Sequence, residues 1–84
     1  MLVGDNRYMS TNSETLLIRD DMIRLGQALK LANVVEDGVD ARDVITSGQI
    51  LVNGVVETRR GRQLHVGDVI TLVDFDLEVT IQSE

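Results

Sequence analysis

The period of the hydrophobic positions changes twice along this chain. Residues 14–18, Glu-Thr-Leu-Leu-Ile, form a short apolar run closed by Asp20-Asp21, and predict a strand. From Leu25 the spacing becomes helical. Leu25, Ala28, Leu29 and Ala32 fall at i, i+3, i+4 and i+7, on one face, while Arg24, Gln27 and Lys30 fall on another. Gly26 lies inside this pattern, where it weakens a helix by roughly 1 kcal/mol relative to alanine. Asp37 and Asp40, three residues apart, make a capping-box-like start for a second helix. Its apolar positions Ala41, Val44 and Ile45 repeat the helical spacing, and Gly48 is a natural C-terminal stop. Residues 34–36 join the two helices as a helical hairpin.

The second half reads as β structure. Ile50-Leu51-Val52 and Val55-Val56 flank Asn53-Gly54, a strong short hairpin signal because both turn residues tolerate positive φ. Residues 58–63 are polar and basic. Residues 64–68 predict a turn into the strand 69–73, residues 74–76 a further turn, and residues 77–81 alternate like an edge strand. The outline is α+β: a short helix pair packed on a small, mainly antiparallel β-sheet.

Composition sharpens this picture. The chain has 84 residues, room for one domain over residues 14–84 after an N-terminal tail over residues 1–13 expected to be mobile. Met9 heads a polar run and is a second candidate translation start beside Met1. Hydrophobic residues make up 43% of the chain, but only Tyr8 and Phe75 are aromatic, so the core must be aliphatic. Without cysteine there are no disulfides or thiolate metal sites. The first residues do not read as a signal peptide, and no apolar run approaches the roughly 20 residues a membrane span needs. A soluble, cytoplasmic, monomeric protein is expected.

Charge changes the picture most. The net charge is −6, unusual for a nucleic-acid binder. Its distribution matters more than its sum, because salt screens exposed charges beyond roughly 8 Å. Between Arg24 and Arg62 six basic residues face five acids, a local excess of +1, and the remaining residues carry −7. Three of the cations sit in one short segment, Arg59-Arg60-Gly61-Arg62. Arginine forks match phosphate oxygens bidentately and stack on unpaired bases. The alternative for the segment is a solvated loop with ion pairs to Glu57 or Asp68. Arg42 has a local alternative of its own in Asp43 or Glu36.

Catalysis finds little footing. His65, the one histidine, has no nucleophile or orienting partner nearby in sequence. Asp74, Asp76 and Glu78 alternate, but their spacing fits no calcium loop, and they read as solvated turn acids. No catalytic residue, metal or cofactor is expected.

Several segments, in order, carry a family resemblance: Arg24-Leu25, Gly38-Val39-Asp40-Ala41-Arg42, residues 47–54 (Ser-Gly-Gln-Ile-Leu-Val-Asn-Gly), Arg59-Arg60-Gly61-Arg62 and Val66-Gly67-Asp68-Val69-Ile70. The series is similar to the RNA-binding domain of ribosomal small-subunit protein S4, found also in pseudouridine synthases and tyrosyl-tRNA synthetases. It most resembles the short stand-alone bacterial members of the YaaA/YbcJ type. The resemblance implies an alpha-L motif that binds structured RNA through the helix pair and the following loop. Matched by position, it implies Arg24, Arg42, Arg59, Arg60 and Arg62 as contacts, with Lys30 added from the polar stripe of the first helix. The implied function is non-enzymatic binding of structured RNA, whether ribosomal RNA, tRNA or a ribonucleoprotein. The alternative is a protein-interaction module whose acidic ends dock a basic partner, such as a ribosomal protein.

Overall fold

The computed structural model describes residues 12–84, so residues 1–11 of the expected mobile tail lie outside the described residues. Asn12 and Ser13 already belong to the first strand, β1 (Asn12–Ile18), which starts two residues earlier than the apolar run suggests. A short β2 (Met22–Arg24) leads into α1 (Leu25–Leu31), and α2 (Gly38–Thr46) follows. Then come β3 (Ile50–Val52), β4 (Val55–Val56), β5 (Gln63–His65), β6 (Val69–Leu72), a 3-10 turn (Val73–Phe75) and β7 (Leu77–Ser83).

Five strands form one sheet in the order β1-β7-β6-β3-β4, and β2 pairs with β5 in a separate two-stranded ribbon. Every pairing is antiparallel except β1 with β7. The architecture is the expected helix pair on a mainly antiparallel sheet. Two strand expectations are corrected. β7 is not an edge, because β1 covers its outer side from Asn12↔Leu77 to Ile18↔Ser83. Its alternation reports a wet face of the sheet, with Val79 and Ile81 turned to the core, and says nothing of its lateral neighbours. The expected turn over residues 64–68 begins instead as β5, where Ile23 pairs with Leu64 and both are buried.

Local chemistry explains the helix ends. Two residues past the end of α1, Asn33 at φ 60° lets Val34 N–H reach Leu29 O and Asn33 N–H reach Lys30 O, a left-handed C-terminal cap. Asp37 Oδ1 accepts from the Asp40 N–H at 2.9 Å, the cap foreseen for α2. Gly48, at φ 85°, stops that helix as expected. The β3–β4 turn places Asn53 and Gly54 at φ 52° and 84°, both positive, as a two-residue hairpin requires.

The core lies between the helices and one face of the sheet. Leu25, Leu29, Ile45, Ile50, Leu64, Ile70, Leu72 and Ile81 are fully buried, and the core of the described residues is wholly aliphatic. Phe75 sits on the surface. Among the described residues no helix is long and apolar enough to cross a membrane.

Candidate functional site

Helix α1 begins without a side-chain cap, since Arg24 at the cap position is extended and offers no acceptor. Its first N–H groups must find partners elsewhere. The arginine loop provides them. Leu25 N–H donates to Arg62 O at 2.9 Å and Gly26 N–H to Arg60 O at 3.0 Å. Between these two, Arg24 Nη1 donates to Gly61 O at 2.9 Å. Three consecutive loop carbonyls are thus taken up by three consecutive residues at the head of the helix. The β2–β5 ribbon, in which Arg24 pairs with Gln63, brings the two segments into register. The loop is a built part of the helix start.

This docking opens a cleft of about 300 Å³ lined by Arg24, Gly26, Gln27, Lys30, Gly38, Ala41, Arg60 and Gly61. Three cations and no acid face it, in a chain of net charge −6. The side chains of Lys30 and Arg60 make no hydrogen bond or ion pair among the described residues, and Arg24 spends one donor on Gly61. Cations held this way, without neutralising neighbours, suit the anionic oxygens of a phosphate backbone.

The other two loop arginines are engaged differently. Glu57 is buried despite its charge, and its carboxylate collects five donors. Oε2 accepts from the N–H groups of Thr58 and Arg59 and from Arg59 Nε; Oε1 accepts from Arg59 Nη2 and Arg62 Nη1. The Arg59 side chain, foremost, and then Arg62 hold the Glu57 carboxyl at about 2, against an ordinary 4.5, and burial opposes them without prevailing. In return, hydrogen bonding to Glu57 raises the pKa of Arg59. Arg59 stays largely solvent-exposed, at 73%, so one side of its guanidinium remains open to a ligand.

Beyond Gly61 lies a second, larger depression of about 740 Å³ bordered by Arg59, Arg62, Gln63, His65 and Asp68. Asp68 does structural work there. Its Oδ1 accepts from Asn53 Nδ2 at 3.0 Å and its Oδ2 from the His65 N–H at 2.8 Å. Asn53 Oδ1 accepts in turn from the Val69 N–H, which fastens the hairpin tip to the β5–β6 turn.

The six basic residues singled out from sequence therefore separate. Arg24, Lys30 and Arg60 converge on the cleft. Arg59 and Arg62 line the second depression and share Glu57, as the ion-pair alternative for that loop anticipated. Arg42 is exposed on α2, lines neither depression and makes no ion pair among the described residues. In the sequence Gly26 is only a helix weakener, and Glu57 is only one candidate surface partner for the arginine loop. The first signal was a helix-weakening residue in a good helix. The second was an acid two and five residues ahead of arginines.

Two comparisons bear on this geometry. A family model described as "S4 domain" matches residues 16–80. A protein of Bacillus subtilis (strain 168) described as "Probable ribosome maturation protein RlbA" is 45% identical over 58 residues, which span 69% of this chain and 82% of that relative.

Proposed function

Since the chain belongs to the S4 domain family, we propose that it is a non-enzymatic protein that binds structured RNA through the cleft of Arg24, Lys30 and Arg60. Arg59 and Arg62 extend the contact on the far side of the loop, and Arg42 adds a peripheral one. The relative's description as a probable ribosome maturation protein points to ribosomal RNA in an assembling particle as the target. The protein acts as a single copy in the cytoplasm. Its mechanism is charge neutralisation and shape, with no bond made or broken. Among the described residues the one Phe, Tyr or Trp side chain, Phe75, sits on the 3-10 turn and does not line the cleft, so base stacking there falls to the arginine guanidinium planes.

One observation carries this reading: three cations face a single cleft with no acid lining it, in an acidic protein. The test is fluorescence anisotropy with a structured ribosomal RNA fragment over a salt series. Three phosphates neutralised in the cleft contribute about −2 to −3 to the log–log salt slope. The R24A/K30A/R60A variant should remain folded and lose most of that slope. Binding that ignores salt, or survives the triple substitution unchanged, defeats the proposal.

A further inference from the structure

We propose that Gly26 is a positioning residue for RNA contact, a gap in the surface of α1 that aims the Arg60 guanidinium into the cleft. The inference rests on the reading of that cleft as the RNA site.

The geometry is tight at one place only. A Cβ added at Gly26 would stand 2.6 Å from Arg60 Cγ and 3.2 Å from its Cδ. The first distance is well inside carbon–carbon van der Waals contact. Arg60 cannot draw back as a unit, because its carbonyl is held by the Gly26 N–H at 3.0 Å. The root of the side chain is therefore pressed flat against the helix, and its far end emerges beside α2, with Nη1 3.9 Å from where a Gly38 Cβ would be. Cγ is the second carbon of the side chain, so relieving a methyl at position 26 means rotating χ1 and swinging the guanidinium away. The other two glycines of the cleft differ. A Cβ at Gly38 or Gly61 meets nothing closer than 3.9 or 3.7 Å, which is ordinary contact.

This accounts for a residue that works against its own helix. Alanine is the better helix former at an interior position. Position 26 is nevertheless glycine, in the first turn of a seven-residue helix. The cost in helix propensity is offset by a cation held in place before any ligand arrives, which spares the entropy of ordering a long side chain on binding.

The experiment compares the full chain as wild type, G26A, R60A and G26A/R60A, by anisotropy with the same RNA fragment over a salt series and by thermal melting. G26A should weaken binding about as much as R60A, on the order of fivefold. Each should flatten the salt slope by about 0.7–0.9, one phosphate's worth, and the double variant should bind no worse than either single one. A change that merely loosened the fold would not remove a single counterion from the slope. If G26A melts low or does not fold, the double variant should recover, because truncating Arg60 removes the Cγ that clashes. Failure of the double variant to recover overturns the inference. So does G26A binding with wild-type affinity and slope, or losses that add in the double variant. The two levels separate cleanly: an R24A/K30A/R60A variant that binds like wild type removes the RNA reading itself. A weakened R60A beside an unchanged G26A removes only the role of Gly26.

Discussion

Glu57 and Arg59 are joined by two side-by-side hydrogen bonds, Nε to Oε2 at 3.0 Å and Nη2 to Oε1 at 3.1 Å, although only Thr58 separates them in the chain. The pair is asymmetric in environment, with the carboxylate buried and the guanidinium largely in water. Together with Arg62, it folds residues 57–62 around one buried anion, and the carbonyls of that same loop cap α1. Glu57 thus links a charge cluster to a helix start.

Replacing Glu57 with alanine should accordingly do more damage than loss of a surface ion pair. Two backbone N–H groups and two guanidinium groups lose their acceptor together. E57A should melt several degrees below wild type and exchange the amide protons of Leu25 and Gly26 faster, since their acceptors lie in the released loop. E57Q, which keeps an acceptor oxygen without the charge, should fall between the two. Thermal melting by circular dichroism and hydrogen exchange test both. A wild-type melting temperature for E57A would show that the cluster is ornamental.

Adjacent arginines should behave as opposites. Arg59 serves Glu57, whereas the Arg60 side chain lines the cleft with no hydrogen bond or ion pair among the described residues. R59A should lower the melting temperature more than R60A does, and R60A should weaken RNA binding more than R59A. Parallel melting and anisotropy measurements on the two variants decide it. The assignment fails if both substitutions shift stability and binding in equal proportion.

The parts of the fold that can be read from sequence are those fixed by neighbouring residues. Asp37 caps Asp40, Gly48 and Asn33 take left-handed backbone, and Asn53-Gly54 closes its hairpin, all within a few positions. The first two and the last carry their own residue signatures, whereas Asn33 does not, because a left-handed asparagine resembles any polar loop residue. What escaped was non-local. Nothing in residues 12–18 specifies a parallel partner more than sixty positions away in β7, because an apolar run states burial and not neighbour. The cap of α1 escaped for the same reason, since its acceptors are backbone carbonyls of residues 60 and 62, and any residue type carries one. For the site, residue type gave the cations, but only the fold divides those facing the cleft from those bound to Glu57.

Asn53 offers a prediction in which backbone and side chain separate. Its φ is 52°, and its side chain spans Asp68 and the Val69 N–H. N53A loses both the favourable left-handed residue and two hydrogen bonds, for about 1–3 kcal/mol. N53G keeps the turn and loses only the hydrogen bonds, so it should cost less. Urea denaturation of the two variants gives the order. If glycine proves as damaging as alanine, the side-chain bridge, and not the backbone angle, dominates.

Acid should destabilise the protein through two carboxylates, Glu57 and Asp68. Glu57 is held at about 2, chiefly by hydrogen bonds from the Arg59 side chain and then by Arg62, against 4.5 ordinarily. A carboxyl that is more acidic folded than unfolded stabilises the fold only while ionised. Its contribution is complete above about 4.5 and drains away as pH falls toward 2. Asp68 acts with the same sign. Burial pulls its pKa upward, but the donors from Asn53 and His65, with the charges of His65 and Arg62, prevail and keep it below its ordinary 3.8. Melting temperature should therefore fall between pH 4.5 and pH 2 in the wild type. E57Q, already less stable at pH 7, should lose less over the same interval, so that the two melting curves converge in acid. Curves that fall in parallel would mean that Glu57 titrates alike in the folded and unfolded chain, and that its five donors do not hold it ionised.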